Sequence, residues 1–363
     1  MVDLIDPRLV ELLRELVEIE SPSYSPGVRE VALRLGTELE RLGGHASLLD
    51  GDHLRAEFPG RGAPLLVCGH GDTVWPVGTL ESMPFRVEGD RAYGPGAYDM
   101  KACLIVMLEA IRLAGDERRA LRVVVTADEE MGSRTARAPL EEAAEGAVAG
   151  LIVEPPGASG NLKTSRKGLG RFALRVRGRP AHAGTHKSEG ASAIHELAHQ
   201  IFALHALDDE ERGVSVNVGV VSGGTSENVV AAEAEAKIDV RVARFEDRDR
   251  MERALAALEP FDPNVTLELT GGWTRPPLER SAGAAKLFER AREYGRGLGL
   301  ELAEEGSGGG SDGNLIGAVG VPVLDGLGAE GAGAHAPDER VLLPSIPLRA
   351  QLLSRLLQDP GLP

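Results

Sequence analysis

The sequence contains only two cysteines, Cys68 and Cys103, and each of them lies inside an apolar run. Two such isolated thiols are not typical of a disulfide-stapled secreted protein and favour a reducing compartment. No apolar run approaches the roughly 18 residues that a membrane-spanning helix needs, and the amino-terminal segment is charged throughout, unlike a signal peptide. We therefore expect a soluble, cytoplasmic protein without a membrane partner.

Positive charge is also scarce, because 40 Lys and Arg residues stand against 56 Asp and Glu residues, for a net charge of −16. Proteins that bind nucleic acid usually present a basic patch, so this balance argues against a nucleic-acid partner. Hydrophobic residues make up 42% of the 363 positions, which is enough for sizeable cores. A chain of this length more often forms two domains than one.

Three short apolar runs alternate with helical patterns in the first half of the chain. The runs cover residues 64–68, 121–126 and 151–153, and the helical patterns between them cover residues 100–113 and 135–145. Near-continuous apolar strands that alternate with helices predict an α/β fold whose sheet is covered on both faces.

The middle of the chain has a different pattern, in which apolar and polar residues alternate. Such alternation predicts strands with one buried face. The predicted elements are, in order, a strand at 171–177, a helix at 191–204, strands at 214–221 and 234–242, a helix at 248–258 and a strand at 265–269. We therefore predict a discontinuous domain from residues 1–170 and 277–363, with an inserted α+β domain at residues 171–276.

Side chains that can bind metal follow each of the three apolar runs. The first run leads into His70 and Asp72, the second into the acidic stretch 128–130, and the third into Glu154. In open α/β sheets, ligands bind beyond the carboxyl ends of the strands. We therefore expect these side chains to meet at one edge of the sheet.

The residue types suit a pair of divalent cations. Two ions about 3.5–4 Å apart need roughly five or six nitrogen and oxygen ligands, with a carboxylate between them. The sequence offers two imidazoles and three carboxylates: His70, Asp99, Glu130, Glu154 and His335. Imidazole suits zinc, Asp72 is placed to accept the ring N–H of His70, and Glu129 is placed to take a proton from water. Each residue taken alone is more often structural, as Asp99 would be at the start of a helix.

These residues lie in motifs that occur together in a known family. The motifs are GHGDTV (69–74), YGPGAYDMKA (93–102), TADEEMGS (126–133), IVEP (152–155), GRPAHAG (178–184), GGGSDGN (308–314) and GAHAPDE (333–339). On these motifs, which span nearly the whole chain, the sequence resembles the zinc-dependent family of acetylornithine deacetylase, succinyl-diaminopimelate desuccinylase, aminoacylase and the folate-cleaving glutamate carboxypeptidases. The resemblance is closest to the carboxypeptidase G branch.

The resemblance implies a fold and an activity. It implies a phosphorylase/hydrolase-like catalytic domain of three layers with a mixed central sheet, and a ferredoxin-like insert that serves as a lid and forms a homodimer. The implied enzyme is a dinuclear zinc metallopeptidase that cuts an amide bond next to a free carboxylate, as glutamate carboxypeptidases do. Its substrate would be a small peptide or an N-acyl amino acid.

The resemblance also implies a role for each residue of the metal site. The two zinc ions would share Asp99, and the other ligands would be His70 and Glu154 for one ion and Glu130 and His335 for the other. Glu129 would be the general base, Asp72 would orient His70, and the peptide bond between Asp99 and Met100 would be cis. Similar ligands also accept Co²⁺ or Mn²⁺.

Further residues match positions that contact the substrate in this family. His182 would reach the active site of a second subunit and stabilise the oxyanion there. Asn228 and Arg241 would contact the substrate carboxylate, as would the glycine loop around Gly309, and Lys167 matches a lysine of the glutamate-cleaving branch more loosely. An arginine fork suits a carboxylate, but Arg241 is equally suited to a salt bridge on the surface of the lid.

Two other motifs point to different classes of protein. Residues 195–205 read HELAHQIFALH and contain the H-E-x-x-H pattern of zinc proteases. The longer form of that motif needs a glycine where Phe202 stands, so we expect the helix to continue and to turn His205 about 280° away from His195. The stretch GGGSDG (308–313) is formally G-x-G-x-x-G after a possible strand at 300–304, but the apolar segment behind it is too short for a nucleotide-binding helix.

Several functions stay open at this point. An N-acyl-amino-acid deacylase of the acetylornithine deacetylase or succinyl-diaminopimelate desuccinylase type, and a dipeptidase, would use the same metal site. A non-catalytic metal-binding protein of the same fold would be expected to lack Glu129 or a ligand, and every one of these positions is filled.

Overall fold

The computed structural model describes residues 5–362, and the chain divides into two compact units. The first unit comprises the chain up to Ser165, Arg280–Ser307, and the chain from Ser311 onward. The second unit comprises Arg166–Glu279 together with Gly308–Gly310, and the predicted insert lies within it. No helix among residues 5–362 is both long enough and apolar enough to span a membrane.

The elements follow the chain in a largely alternating order. The helices are α1 (Pro7–Glu18), α2 (Pro26–Arg41), α3 (Ala102–Ala114), α4 (Arg137–Ala144), α5 (Ala193–His205), α6 (Phe245–Ala256), α7 (Ala282–Arg296), α8 (Asp312–Ala318) and α9 (Ser345–Gln358). The strands are β1 (His45–Leu48), β2 (Leu54–Phe58), β3 (Arg61–His70), β4 (Arg86–Glu88), β5 (Arg91–Tyr93), β6 (Arg119–Thr126), β7 (Ala149–Ile152), β8 (Leu162–Arg166), β9 (Gly168–Arg177), β10 (Ser215–Gly223), β11 (Glu233–Val242), β12 (Thr266–Arg275), β13 (Glu304–Ser307), β14 (Val323–Leu324), β15 (Gly331–Ala332) and β16 (Arg340–Leu342).

A six-stranded mixed sheet in the order β1-β2-β6-β3-β7-β14 forms the centre of the first unit. Strands β6, β3, β7 and β14 run parallel, whereas at one edge β2 pairs antiparallel with β6, and β1 pairs antiparallel with β2. Helices α3 and α9 pack on one face, in a core that includes Leu65 and Val67 of β3. Leu66 and Cys68 are also fully buried but lie outside that core, because successive side chains of a strand point to opposite faces. The α/β class and the mixed central sheet are therefore confirmed.

The second unit contains a four-stranded antiparallel sheet in the order β10-β11-β9-β12. Its strands and helices follow the chain as β9-α5-β10-β11-α6-β12, which is the β-α-β-β-α-β order of ferredoxin-like folds. Alternate residues of β11, such as Ala236, Ile238 and Val240, are buried in a core shared with the helices. That alternation is the pattern that predicted these strands.

A small sheet in the order β15-β16-β5-β4 has no counterpart in the sequence prediction. It pairs β5 with β16 antiparallel, so that Tyr93 lies opposite Arg340. The segment that leaves β5 toward Asp99 therefore runs beside the segment that enters β16 from His335. Two regions far apart in the sequence are brought together in this way.

The predicted strand at residues 300–304 is wrong. Leu300 instead closes the end of α7, where its N–H donates to the carbonyl of Gly295 at 2.9 Å, and Leu302 is buried against the same glycine. These apolar side chains terminate a helix and do not form a strand. The strand follows at β13, where polar residues pair with β8, and Glu304 accepts hydrogen bonds from Thr164 and Arg280.

Candidate active site

Polar side chains lie at the carboxyl ends of three neighbouring parallel strands, at one edge of the central sheet. His70 is the last residue of β3 and lies opposite Thr126, the last residue of β6, so the acidic stretch 128–130 follows directly beside it. On the other side, Ile152 ends β7 in register with Cys68, and Glu154 follows two residues later. The expectation that these strand ends meet is confirmed.

The ring of His70 is held from one side by Asp72. Its Nδ1 lies 2.9 Å from the backbone oxygen of Asp72 and 3.3 Å from the Oδ1 atom. Because a carbonyl oxygen only accepts hydrogen bonds, Nδ1 carries the proton of the neutral ring and Nε2 presents a lone pair. That nitrogen faces Asp99 Oδ1 at 3.4 Å and Glu154 Oε1 at 3.7 Å.

The carboxylate of Asp72 also fixes the acidic turn. Its Oδ1 accepts the backbone N–H of Glu129 at 3.2 Å, and its Oδ2 accepts that of Glu130 at 3.1 Å and the hydroxyl of Ser23 at 2.6 Å. Burial raises the pKa of Asp72, but hydrogen bonds from His70 and Ser23 outweigh burial and hold the pKa below its usual value. The carboxylate therefore stays charged, and it orients both the histidine and the two glutamates.

The two oxygens of Asp99 face two different histidines. Oδ1 points to His70, whereas Oδ2 lies 3.5 Å from Nε2 of His335. The same nitrogen of His335 lies 3.3 Å from Oε1 of Glu130. Asp99 thus lies between two clusters of ligand atoms, and its peptide bond to Met100 is cis, as the resemblance implied.

These side chains fit divalent cations. Oδ1 of Asp99 is buried and has no hydrogen-bond partner among the described residues, which is costly for a charged oxygen unless a cation satisfies it. Hydrogen bonds to Asp99 and Glu130 raise the pKa of His335 to about 10, and the acidic partners of His70 raise its pKa despite burial. The negative charge of these carboxylates favours a proton on each imidazole, and it favours a metal ion at the same place for the same reason.

The ligand atoms are grouped closely enough for metal binding. His70, Asp99 and Glu130 offer atoms within 4.8 Å of one another, and so do His70, Glu129 and Glu154. Glu129 therefore lies beside two candidate ligands, His70 and Glu154, although the sequence predicts a general base there, and His335 belongs to neither of these two groups. The geometry suits a general base beside a metal centre.

His182 lies in the second unit, on an exposed turn that is tied to the segment of Asn228. The backbone N–H of Ala183 donates to the carbonyl of Asn228 at 2.9 Å. Nδ1 of His182 accepts the backbone N–H groups of Gly184 and Thr185 at 3.1 and 3.2 Å. The neutral ring therefore carries its proton on Nε2, where it is available as a hydrogen-bond donor.

Arg241 and the glycine loop also lie in the second unit. Nε of Arg241 donates to Asp239 at 2.8 Å, and Nη1 donates to the carbonyl of Gly308 at 2.8 Å, so the salt-bridge alternative is present in the structure. Arg166, which the sequence prediction missed, donates to the carbonyls of Gly309 and Gly310 at 3.3 and 3.2 Å. No motif marked Arg166, because a single arginine at the end of a strand carries no pattern.

Lys167, the loosest match of the predicted substrate residues, lies between β8 and β9 in the second unit and is half-buried. Asn228 is exposed, and its Oδ1 accepts the hydroxyl of Ser226 at 2.8 Å. The substrate-binding roles of both residues stay predictions.

The H-E-x-x-H motif is structural. Helix α5 continues through Phe202 to His205, as expected. Glu196 is buried, and its carboxylate accepts the backbone N–H groups of Phe261 and Asp262, both at 2.9 Å. The ring of His199 stacks on Phe261 at a centroid distance of 3.9 Å. The glutamate caps a neighbouring turn and is not a general base.

Comparisons with known proteins agree with this site. The profile of Peptidase family M20/M25/M40 matches residues 66–359. Carboxypeptidase G2 of Pseudomonas sp. (strain RS-16) is 32% identical over 98% of this chain and 90% of its own length. Succinyl-diaminopimelate desuccinylase of Thioalkalivibrio sulfidiphilus is 27% identical over 99% of both chains. The crystal structure of aminopeptidase PepT from Bacillus cereus shares the fold, with a TM-score of 0.79 over 98% of both chains at 22% identity.

The family match covers most of the chain and includes every candidate metal ligand, from His70 to His335. The similarity to carboxypeptidase G2 extends over nearly the whole length of both proteins. The family and branch indicated by the motifs are therefore confirmed. The chain belongs to Peptidase family M20/M25/M40 and is a hydrolase that acts on C–N bonds.

Proposed function

We propose that the protein is a dinuclear zinc hydrolase of the glutamate-carboxypeptidase type, which cleaves an amide bond next to a free carboxylate. The observation that carries the proposal is the position of Asp99, whose two oxygens face His70 and His335 separately. A carboxylate between two imidazoles offers nitrogen and oxygen ligands that suit a pair of zinc ions. The similarity to carboxypeptidase G2 supports the glutamate-carboxypeptidase type.

Different side chains would bind the metal ions, transfer the proton and position the general base. His70 and Glu154 would hold one ion, Glu130 and His335 the other, and Asp99 both. When bound, the ions would lower the pKa of a water molecule and polarise the scissile carbonyl. Glu129 takes the proton of the attacking water and passes it to the leaving nitrogen. Asp72 keeps Glu129 in place through its backbone N–H.

The substrate-binding roles are those that the family resemblance implies for residues of the second unit. The N–H at Nε2 of His182 is suited to stabilise the developing oxyanion. Arg241 and Asn228 would meet the substrate carboxylate, together with the glycine loop at Gly309, while Lys167 would contribute positive charge. In this role Arg241 exchanges Asp239 for the substrate, since its Nε donates to that aspartate in the structure.

We also propose that the protein is cytoplasmic. The second unit would form a homodimer. Strand β10 is an edge strand of its sheet, with Val220 and Val221 more than half exposed at 54% and 55%. Phe202 on α5 is 79% exposed. An open apolar edge of this kind favours pairing with another chain.

Metal removal is the first test of the proposal. We expect the chelator-treated enzyme to lose its activity against an acyl-glutamate, and added Zn²⁺ to restore it. A panel of acyl-glutamates, dipeptides, N-acetylornithine and N-succinyl-diaminopimelate then separates the carboxypeptidase from a dipeptidase or a deacylase. Full activity in the presence of chelator would contradict the metal mechanism, and hydrolysis of the acylated diamino acids alone would contradict the carboxypeptidase type.

A mixing experiment tests whether His182 acts across a dimer. We expect the variants His182→Ala and Glu129→Gln each to be weakly active alone. If His182 serves the partner's site, a mixed dimer contains one site with both residues intact, so co-refolded or co-expressed variants regain activity well above either parent. If His182 serves its own subunit, mixing restores nothing. Light scattering on the wild-type protein checks the dimer itself, and a monomer would contradict it.

A further inference from the structure

Glu339 is a carboxylate that is fully buried, at 0% exposure, and no arginine or lysine among residues 5–362 is in hydrogen-bond contact with it. It lies four residues after His335, in the last position before β16. Sequence patterns gave it no role, although it ends the motif GAHAPDE. A buried charge of this kind is costly unless its oxygens are fully satisfied.

Four N–H groups satisfy Glu339, two at each oxygen. Oε1 accepts the backbone N–H groups of Tyr98 and Asp99, both at 3.0 Å. Oε2 accepts the backbone N–H of Gly96 at 3.0 Å and the indole N–H of Trp75 at 2.7 Å. Both oxygens of the carboxylate are therefore hydrogen-bonded, and three of the four donors belong to the turn that carries Asp99.

These donors connect three separate segments of the candidate metal centre. Trp75 lies on the loop that follows β3 and His70, the turn 96–99 carries Asp99, and Glu339 shares its own short loop with His335. The carbonyl of Glu339 adds a further link by accepting the N–H of Gly94 at 3.3 Å. One side chain thus holds together the segments of both histidines and of the carboxylate between them.

The segment of His335 has a backbone conformation that needs support, and the turn of Asp99 has no room for a larger residue at Gly96. His335 adopts a left-handed conformation with φ of 62°, which is unfavourable for a residue with a side chain and is maintained by its surroundings. Gly96 has φ of 71°, and a side chain there would meet Thr73 at 2.5 Å. The loop of His335 therefore depends on external contacts for its shape, whereas the turn of Asp99 depends on a glycine at position 96.

We infer that Glu339 is a positioning residue that sets the distance between Asp99 and His335. It would thereby set the affinity of the metal centre for the ion that these two residues would hold together with Glu130. This inference rests on the proposed function. The nearest alternative is a role in folding stability alone, in which Glu339 satisfies backbone N–H groups without influencing metal binding.

The variant Glu339→Gln separates these roles, because the amide has the same shape as the carboxylate but only one accepting oxygen. Its NH₂ group would face two donors, so two of the four hydrogen bonds cannot form. A matched control is Glu196→Gln, since Glu196 is also buried and accepts three N–H groups, two from backbone and one from Gln200 at 2.7 Å, far from the metal ligands in sequence. Both variants are expected to be less stable than the wild type.

The test is a titration of metal-stripped protein with Zn²⁺ by calorimetry, and with Co²⁺ by its visible absorption. We expect two ions in the wild type and in Glu196→Gln. In Glu339→Gln we expect an affinity about 10- to 100-fold weaker for one ion, as is typical when a residue that orients metal ligands is lost, and an altered Co²⁺ spectrum. With excess Zn²⁺, kcat should recover while KM stays unchanged.

Two results would overturn the inference in different ways. If Glu339→Gln binds both ions with wild-type affinity and spectrum, Glu339 is merely structural and the proposed function stands. If the wild type itself binds fewer than two ions, the dinuclear centre fails and the inference fails with it. If Glu339→Gln does not fold, Trp75→Phe removes one donor alone, and an affinity about 2- to 10-fold weaker is expected from the loss of one hydrogen bond of typical strength. An unchanged affinity in Trp75→Phe would count against the inference.

Discussion

Replacement of Glu129 by glutamine is expected to lower kcat by about 10²- to 10⁴-fold, which is the usual contribution of a general base or acid. The side chain keeps its size but can no longer accept a proton. The turn should persist, because Asp72 holds it through the backbone N–H of Glu129 and not through the side chain. Steady-state kinetics with an acyl-glutamate, together with metal analysis of the variant, measure both effects.

The neighbouring residue provides a matched control for this variant. Glu130 lies on the same turn and its backbone is held by the same aspartate, but its Oε1 faces Nε2 of His335 at 3.3 Å. We therefore expect Glu130→Gln to lose metal affinity and Glu129→Gln to keep it. Full activity in Glu129→Gln would contradict the general-base assignment, and loss of metal from that variant would make Glu129 a ligand.

The parts of the site that follow from local patterns were predictable. His70, the acidic stretch 128–130 and Glu154 each come after an apolar run, and the carboxyl ends of parallel strands meet at one edge of a sheet. The structure has the three strands side by side, with β3 between β6 and β7. A run of apolar residues and the polar residue behind it are neighbours in the sequence, so no long-range information was needed.

The approach of His335 to Asp99 has a different origin. It depends on the pairing of β5 with β16, which are only three residues long each, and strands of that length have no readable periodicity. The resemblance to a family supplied this contact, and residue patterns did not. The same reason explains why Glu339 was missed, since its role depends on donors from two distant loops.

Strand β12 illustrates a boundary that the pattern placed too early. The prediction ended at residue 269, whereas the strand continues to Arg275. Gly271 and Gly272 interrupt the apolar alternation, and a side chain at Gly271 would meet the backbone oxygen of Arg171 at 2.2 Å. A glycine inside a strand often marks such a close approach of two backbones, which a single sequence does not distinguish from a turn.

Replacement of Asp99 by asparagine is expected to have the largest effect of any single change. The amide keeps the size of the side chain but replaces one of the two metal-facing oxygens by an NH₂ group, which is not a ligand. Since Oδ1 faces His70 and Oδ2 faces His335, either orientation of the amide removes the oxygen that faces one of the two histidines. We therefore expect at most one bound ion by metal analysis. Loss of an ion that contributes several kcal/mol to catalysis corresponds to an activity at least about 10³-fold lower.

Asp359→Asn is the matched control for Asp99→Asn. Asp359 is a buried aspartate of the same unit, and it is satisfied by Arg290 at 2.7 Å and by the backbone N–H of Gly361 at 2.7 Å. Its replacement should lower the free energy of unfolding by about 1–3 kcal/mol, as expected for a lost charged hydrogen bond, with both ions retained. Asp99→Asn should instead lose an ion, because its Oδ1 lacks a hydrogen-bond partner within the described chain and faces the candidate ligand His70. Two ions in Asp99→Asn at wild-type affinity would contradict the shared carboxylate, and with it the dinuclear mechanism.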